Sequence, residues 1–146
     1  MSFDEIKENF GLLEDWEDRY RYLIELGREL EPMPPALKTD ATKVRGCASQ
    51  VWLHSTRQAP AGHGSVKLVF RGESDAHIVQ GLIAVLLALH SGHSAQDIAA
   101  TDTLARFAEL GLKEHLTPQR SNGLAAMAKR IHEDAIAALA EAPPVQ

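Results

Sequence analysis

The chain has a single cysteine, Cys47, in 146 residues. One thiol excludes an internal disulfide and any multi-thiolate zinc or iron–sulfur site built by one copy, because those frameworks need several Cys or Cys/His ligands acting together. It fits a reducing compartment. There is no basic excess either: 15 Lys and Arg stand against 20 Asp and Glu, net −5, with the two signs interspersed. That is a poor footprint for nucleic acid, whose binding draws on a basic patch. The N-terminus MSFDEIKENF lacks the basic segment and apolar stretch of a secretory signal. The longest apolar run, Ile78 to Leu89, holds Gln80 and falls short of the ~20 residues that cross a bilayer. No glycine-rich loop opens a helix after a strand, since GHGS lies between two predicted strands, so a nucleotide site is not expected. No repeat, linker or composition shift divides the chain. What remains is a soluble, cytoplasmic protein of one domain, residues 1–146, long enough to bury a core.

Ser2 and Glu5 form a capping-box pattern for a short helix ending near Gly11. Trp16, Tyr20, Leu23, Gly27 and Leu30 then recur at helical spacing, up to the prolines at 32, 34 and 35. Residues 36–48 have no period and read as an ordered loop that delivers Cys47. Two alternating segments follow, Ser49 to Gln58 and Ser65 to Gly72, joined by the hairpin-like APAGHG. From Ile78 the apolar residues become continuous, which predicts a deeply buried helix capped by Ser74 or Asp75, with Gly81 permitting close packing. Two short helices capped by Ser94 and by Thr101 or Asp102 come next, with Gly111 closing the second. The last helix, capped by Thr117 or Ser121, carries Leu124, Met127, Ile131, Ala135 and Leu139 on one face, and the tail PPVQ should fray. The pattern is α+β: a small antiparallel sheet with helices packed against it.

Among chemistry-bearing residues, Cys47 stands out by position. It follows Gly46 in a loop at a strand entrance, and Arg45 two places before it would share its face in an extended segment and favour thiolate. The bland reading is a buried thiol acting as a small hydrophobe. His77, His90, His93 and Asp75 supply metal-ligand types without a spacing that one helical face protects, so no bound metal is expected. A cysteine hydrolase would need a histidine beside Cys47; His54, His63, His77 and His115 are candidates that no local signature distinguishes. Trp52, Tyr20 and Tyr22 read as core or core-edge aromatics.

Four segments in order, WEDRYRYLIELGRELEPMP, KVRGCASQVWL, GESDAHIVQGLIAVLLAL and HLTPQRSNGLAAM, resemble the SufE/CsdE family of sulfur-acceptor proteins in iron–sulfur cluster biogenesis. The resemblance runs from about Leu13 to Ile131. It implies a fold similar to that of the IscU scaffold, with about three antiparallel strands, the third supplied by the stretch before Cys47. It implies that Cys47 accepts sulfur as a persulfide from a cysteine desulfurase (SufS/CsdA-like), stimulates that enzyme, and passes the sulfur to an iron–sulfur scaffold. The chain itself would need no cofactor, since the pyridoxal phosphate belongs to the desulfurase, and would be a monomer or weak homodimer that is not an autonomous enzyme. By the same resemblance Gly46 lets the loop turn, Ser49 and Gln50 order it, and Asp75 and Arg120 serve partner docking or loop stabilisation. Gln119 departs from the serine expected in many relatives. A reactive persulfide further suggests a loop that shelters the thiol at rest and swings out on docking. The competing reading is a regulatory binding module whose thiol is incidental.

Overall fold

The computed structural model describes residues 1–58 and 66–141. The Ser2 hydroxyl accepts from the Glu5 amide at 3.2 Å and opens α1 (Phe3–Leu12), which buries Phe3, Ile6 and Phe10. Helix α2 (Trp16–Arg28) buries Leu23, Leu26 and Gly27 and stops ahead of the proline-rich segment, as residues without an amide proton require. Strands β1 (Val51–Gln58) and β2 (Lys67–Ser74) pair antiparallel, Val51 opposite Ser74 and Gln58 opposite Lys67. Their alternation turns Val51, Leu53, Leu68 and Phe70 into the core. The hairpin connection between them, residues 59–65, lies outside the described residues.

The third strand is not where the resemblance put it. It is β3 (His93–Ser94), two residues paired with the free edge of β2, so the sheet order is β1-β2-β3. The stretch before Cys47 reaches the sheet only as a single bridge, Lys43 opposite Trp52. The Thr42 carbonyl accepts from the Leu53 amide and the Val44 amide donates to the Val51 carbonyl, after which Gly46 turns the chain away with φ +92°. A residue in that left-handed region ends extended pairing, which is why the segment stays too short to be a strand.

Helix α3 (His77–His90) is the core of the molecule, with Leu82, Ile83, Val85 and Leu86 fully buried. Its N-cap is Ala76, not Ser74 or Asp75. Those two polar residues are engaged elsewhere: the Ser74 hydroxyl accepts from the Ala76 amide, and the Asp75 carboxylate accepts from Gln50. The Gln80 side chain reaches back to accept from the Ser74 amide at 2.6 Å. Helices α2 and α3 cross at Gly27 and Gly81, where a Cβ on Gly81 would stand 2.3 Å from the Leu23 carbonyl oxygen.

Ser94 and Asp102 cap α4 (Ala95–Ala100) and α5 (Thr103–Ala108) through the Asp97 and Ala105 amides, and Gly111 at φ +71° ends the segment. Thr117 rather than Ser121 caps α6 (Pro118–Glu141), its hydroxyl accepting from the Arg120 amide at 3.3 Å. Leu124, Met127, Ile131 and Ala135 are buried as the spacing predicts, but Leu139 is 38 % exposed and Ala138 takes the next core position. From Ala135 the buried face continues at i+3, with Ala138 1 % exposed. The tail predicted to fray, residues 143–146, lies outside the described residues. Among the described residues no helix is long and apolar enough to cross a membrane.

One buried titratable group sets an acid limit on this fold. His90 is 1 % exposed and its Nε2 lies 2.8 Å from the Thr103 hydroxyl, which is also 3.1 Å from His132 Nε2. Burial above all, then the neighbouring imidazoles of His132 and His93, push its pKa from 6.5 down to about 4. A lowered imidazole pKa means the folded state binds fewer protons than the unfolded state. The stabilisation is therefore complete above pH 6.5 and lost as pH falls through about 4. The expected loss is on the order of 3 kcal/mol. Urea midpoints compared at pH 7 and pH 4.5 should show it, and His90→Gln, which cannot protonate, should flatten the profile. An equally steep profile in that variant would assign the acid sensitivity to other groups.

Candidate functional site

Cys47 sits at the junction of three elements. The loop 45–50 carries it from the Lys43 bridge to the start of β1, α6 runs beneath it, and the N-terminus of α3 closes one side. Its Sγ lies 3.6 Å from the Gly123 carbonyl oxygen in the first turns of α6, a weak S–H donation. Gly123 is buried, and a Cβ there would stand 3.5 Å from Sγ, in ordinary contact. The sulfur thus rests on the helix backbone with little side chain between.

Beside it is a cavity of about 190 Å³ whose walls include Cys47, Ser49, Val79, Arg120, Gly123 and Met127. Val79 and Met127 are among its apolar lining residues, and the partly exposed Arg120 is among its polar ones. Burial pushes the Cys47 thiol above its ordinary pKa. This runs against the expectation that Arg45 would favour thiolate. Arg45 is exposed and does not line the cavity, because the turn at Gly46 breaks the extended geometry that would have aligned the two side chains. At neutral pH the resting sulfur is a protonated thiol, the less nucleophilic form. Alkylation of Cys47 by iodoacetamide at pH 7 is accordingly expected to run at least about tenfold slower than that of an unstructured cysteine peptide, with its rise displaced to higher pH. A rate equal to the peptide's would mean that the thiol is neither sheltered nor shifted.

The other residues singled out in the sequence divide into three pairs. Gln50 and Asp75 are brought together: the Gln50 amide donates to Asp75 Oδ1 at 3.0 Å, and the Asp75 amide donates to the Gln50 carbonyl at 3.3 Å. This reciprocal pair clips the C-terminal end of the Cys47 loop to the β2–α3 corner. Ser49 and Arg120 line the cavity, while Arg45 and Gly46 form the loop's outer bend. His63 lies outside the described residues; of the other candidates, none of His54, His77 and His115 lines the cavity, so among the described residues Cys47 has no imidazole there of the kind a cysteine hydrolase uses. Nor do the described residues include a group of three or more His, Cys, Asp or Glu placed to hold a metal ion. His90, one of the metal candidates, is committed to Thr103.

Two contributors are not visible in the sequence pattern. Gly123, there only part of a motif, proves to be the surface on which the sulfur lies. Arg130, seven residues further along α6 and paired with Asp134, reaches the loop's N-terminal root; the i, i+4 spacing of the two signals an ion pair but not where it points.

A family model described as "SufE: Fe-S metabolism associated domain" matches residues 4–135. The chain belongs to the SufE family. An uncharacterized SufE-like protein of Rhizobium meliloti is 51 % identical over 136 residues, 92 % of this chain and 94 % of that protein. A second, from Rhizobium etli, is 49 % identical over 134 residues, 92 % of this chain and 89 % of that one. The solution structure of a hypothetical protein from Thermus thermophilus superposes with a TM-score of 0.73 at 23 % identity, covering 97 % of this chain and all of the other. That likeness concerns the fold. Membership of the SufE family supports a sulfur-transfer role in iron–sulfur metabolism for this chain.

Proposed function

We propose that Cys47 is a sulfur acceptor: it takes persulfide sulfur from a pyridoxal-phosphate-dependent cysteine desulfurase, stimulates that enzyme by clearing its cysteine, and delivers the sulfur to an iron–sulfur scaffold in the cytoplasm. The observation that carries this reading is a lone thiol at the edge of a small cavity in a SufE-family chain.

The exchange needs one thiol on this side. Cys47 loses its proton to solvent or to the leaving group, and its thiolate attacks the outer sulfur of the donor's persulfide. A bond forms from Cys47 Sγ to that sulfur, the donor's S–S bond breaks, and the donor cysteine leaves as thiolate. No net oxidation occurs. The raised pKa makes the isolated protein a slow acceptor, so docking must draw the sulfur off Gly123 and into water or toward a cation, lowering its pKa at the moment of transfer. After transfer, a cavity of about 190 Å³ leaves ample room for one more sulfur atom, since a water molecule's share of liquid is ~30 Å³. With no second cysteine in the chain, the persulfide cannot collapse into an internal disulfide. Pyridoxal phosphate stays with the desulfurase.

The test is an intact mass, without reductant, after mixing the protein with a cysteine desulfurase and L-cysteine. The expected result is one added sulfur atom on the wild type and none on Cys47→Ser. An equal sulfur gain on both would dismiss Cys47 as the acceptor.

A further inference from the structure

The loop that carries Cys47 is clipped at its far end by Asp75, and its near end is held by a different device. Thr42 directs its carbonyl at β1, to the Leu53 amide; Ala41 lies in the turn that the Lys43 amide closes on the Thr39 carbonyl, and neither the Ala41 nor the Lys43 carbonyl accepts from β1. Instead the guanidinium of Arg130, from α6, donates through Nη2 to the Ala41 carbonyl and through Nη1 to the Lys43 carbonyl at 3.5 Å. Its Nε donates to Asp134 Oδ1 at 3.3 Å, and both side chains are largely covered, 26 % and 20 % exposed. Asp134 fixes the plane of the fork, and the fork serves both carbonyls.

Gly123, Met127, Arg130 and Asp134 fall at i, i+4, i+7 and i+11 on α6 and so share one face. The helix that supports the sulfur at Gly123 therefore also holds the root of its loop, about 10 Å further along the same rigid rod. We propose that Arg130, oriented by Asp134, is a positioning residue for Cys47: it sets the register between the loop and α6 and thereby keeps the thiol seated on Gly123. Between this fork and the Asp75 clip only residues 45–49 are left to move, with the bend at Gly46 among them. Lysine is no substitute, because a point donor cannot serve two carbonyls and a carboxylate at fixed angles. The biological meaning rests on Cys47 being the sulfur acceptor, but the geometry is testable without a desulfurase.

The experiment is the rate of Cys47 alkylation by iodoacetamide in the isolated protein, with amide hydrogen exchange at Val44 and Leu53 read in parallel. Arg130→Met is expected to raise the alkylation rate about tenfold and to expose both amides, since a charged hydrogen-bonding anchor is lost locally. Asp134→Asn, a milder change that keeps the guanidinium, should give a smaller rise, and Arg130→Lys should fall between wild type and Arg130→Met. Ile6→Val, which removes a buried methyl from α1 far from the loop, serves as the control for general destabilisation and should leave the rate unchanged. Wild-type rates in both Arg130→Met and Asp134→Asn, or an equal acceleration in Ile6→Val, would overturn the proposal. Absence of the added sulfur in the mass experiment would instead count against the acceptor reading and leave the alkylation result standing.

Discussion

Cys47→Ser is expected to abolish sulfur uptake and to reduce stimulation of the partner desulfurase to its basal rate, while binding between the two proteins persists. The argument is chemical. A serine hydroxyl cannot form a persulfide, and it does not ionise at any pH the protein survives, whereas its O–H can still donate to the Gly123 carbonyl that now receives the thiol. The fold should therefore be kept and the unfolding midpoint barely moved. Desulfurase turnover measured with and without each variant, alongside a fluorescence titration of docking, separates the readings. If Cys47→Ser stimulated as well as wild type, the chain would be a regulatory binding module and its thiol incidental. If docking were lost as well, the thiol loop would belong to the interface rather than only to the chemistry.

Among substitutions, the largest loss of stability is expected at the crossing of α2 and α3. Gly81→Ala gains about 1 kcal/mol of helix propensity. It also drives a Cβ to 2.3 Å from the Leu23 carbonyl oxygen, a backbone atom that cannot rotate aside. The helices must separate, and overpacking of this kind costs about 1–3 kcal/mol, sometimes more. With a backbone atom this close, a net loss of up to about 2 kcal/mol is expected in urea unfolding. Gly27→Ala meets the Gly81 amide at 2.8 Å across the same contact, so the double variant should lose less than the two singles together, once the helices have already moved apart. Because α3 supplies Val79 to the cavity wall and follows directly on the Asp75 clip, the displacement should also speed Cys47 alkylation. A stabilised Gly81→Ala would mean that the helices do not approach closely at this point.

Most elements were legible because local chemistry dictates them. The capping hydroxyls of Ser2 and Ser94 and the carboxylate of Asp102 act as their positions predict. Period-two burial in β1 and β2 and the unbroken apolar run of α3 follow from which faces must leave water. The misplaced third strand has an equally physical origin. His93 and Ser94 carry no strand signal, and their pairing with β2 depends on the chain returning from α3 to that edge after Gly92 at φ +83°. A two-residue strand is made by its partner.

By itself the sequence determined the α+β class and the loop position of the only thiol, since these rest on residue types and on spacings of a few positions, and four segments in order carried the resemblance to the SufE family. Only the tertiary structure decided the state of that thiol. Arg45, two residues away, predicted a thiolate, yet the turn at Gly46 separates the two and burial against Gly123, 76 residues on, raises the pKa instead. The anchors of the loop at Asp75 and Arg130 likewise come from distant segments. Electrostatic environment is a sum over neighbours in space, and for Cys47 those neighbours arrive from α6 and the β2–α3 corner rather than from its own stretch of chain.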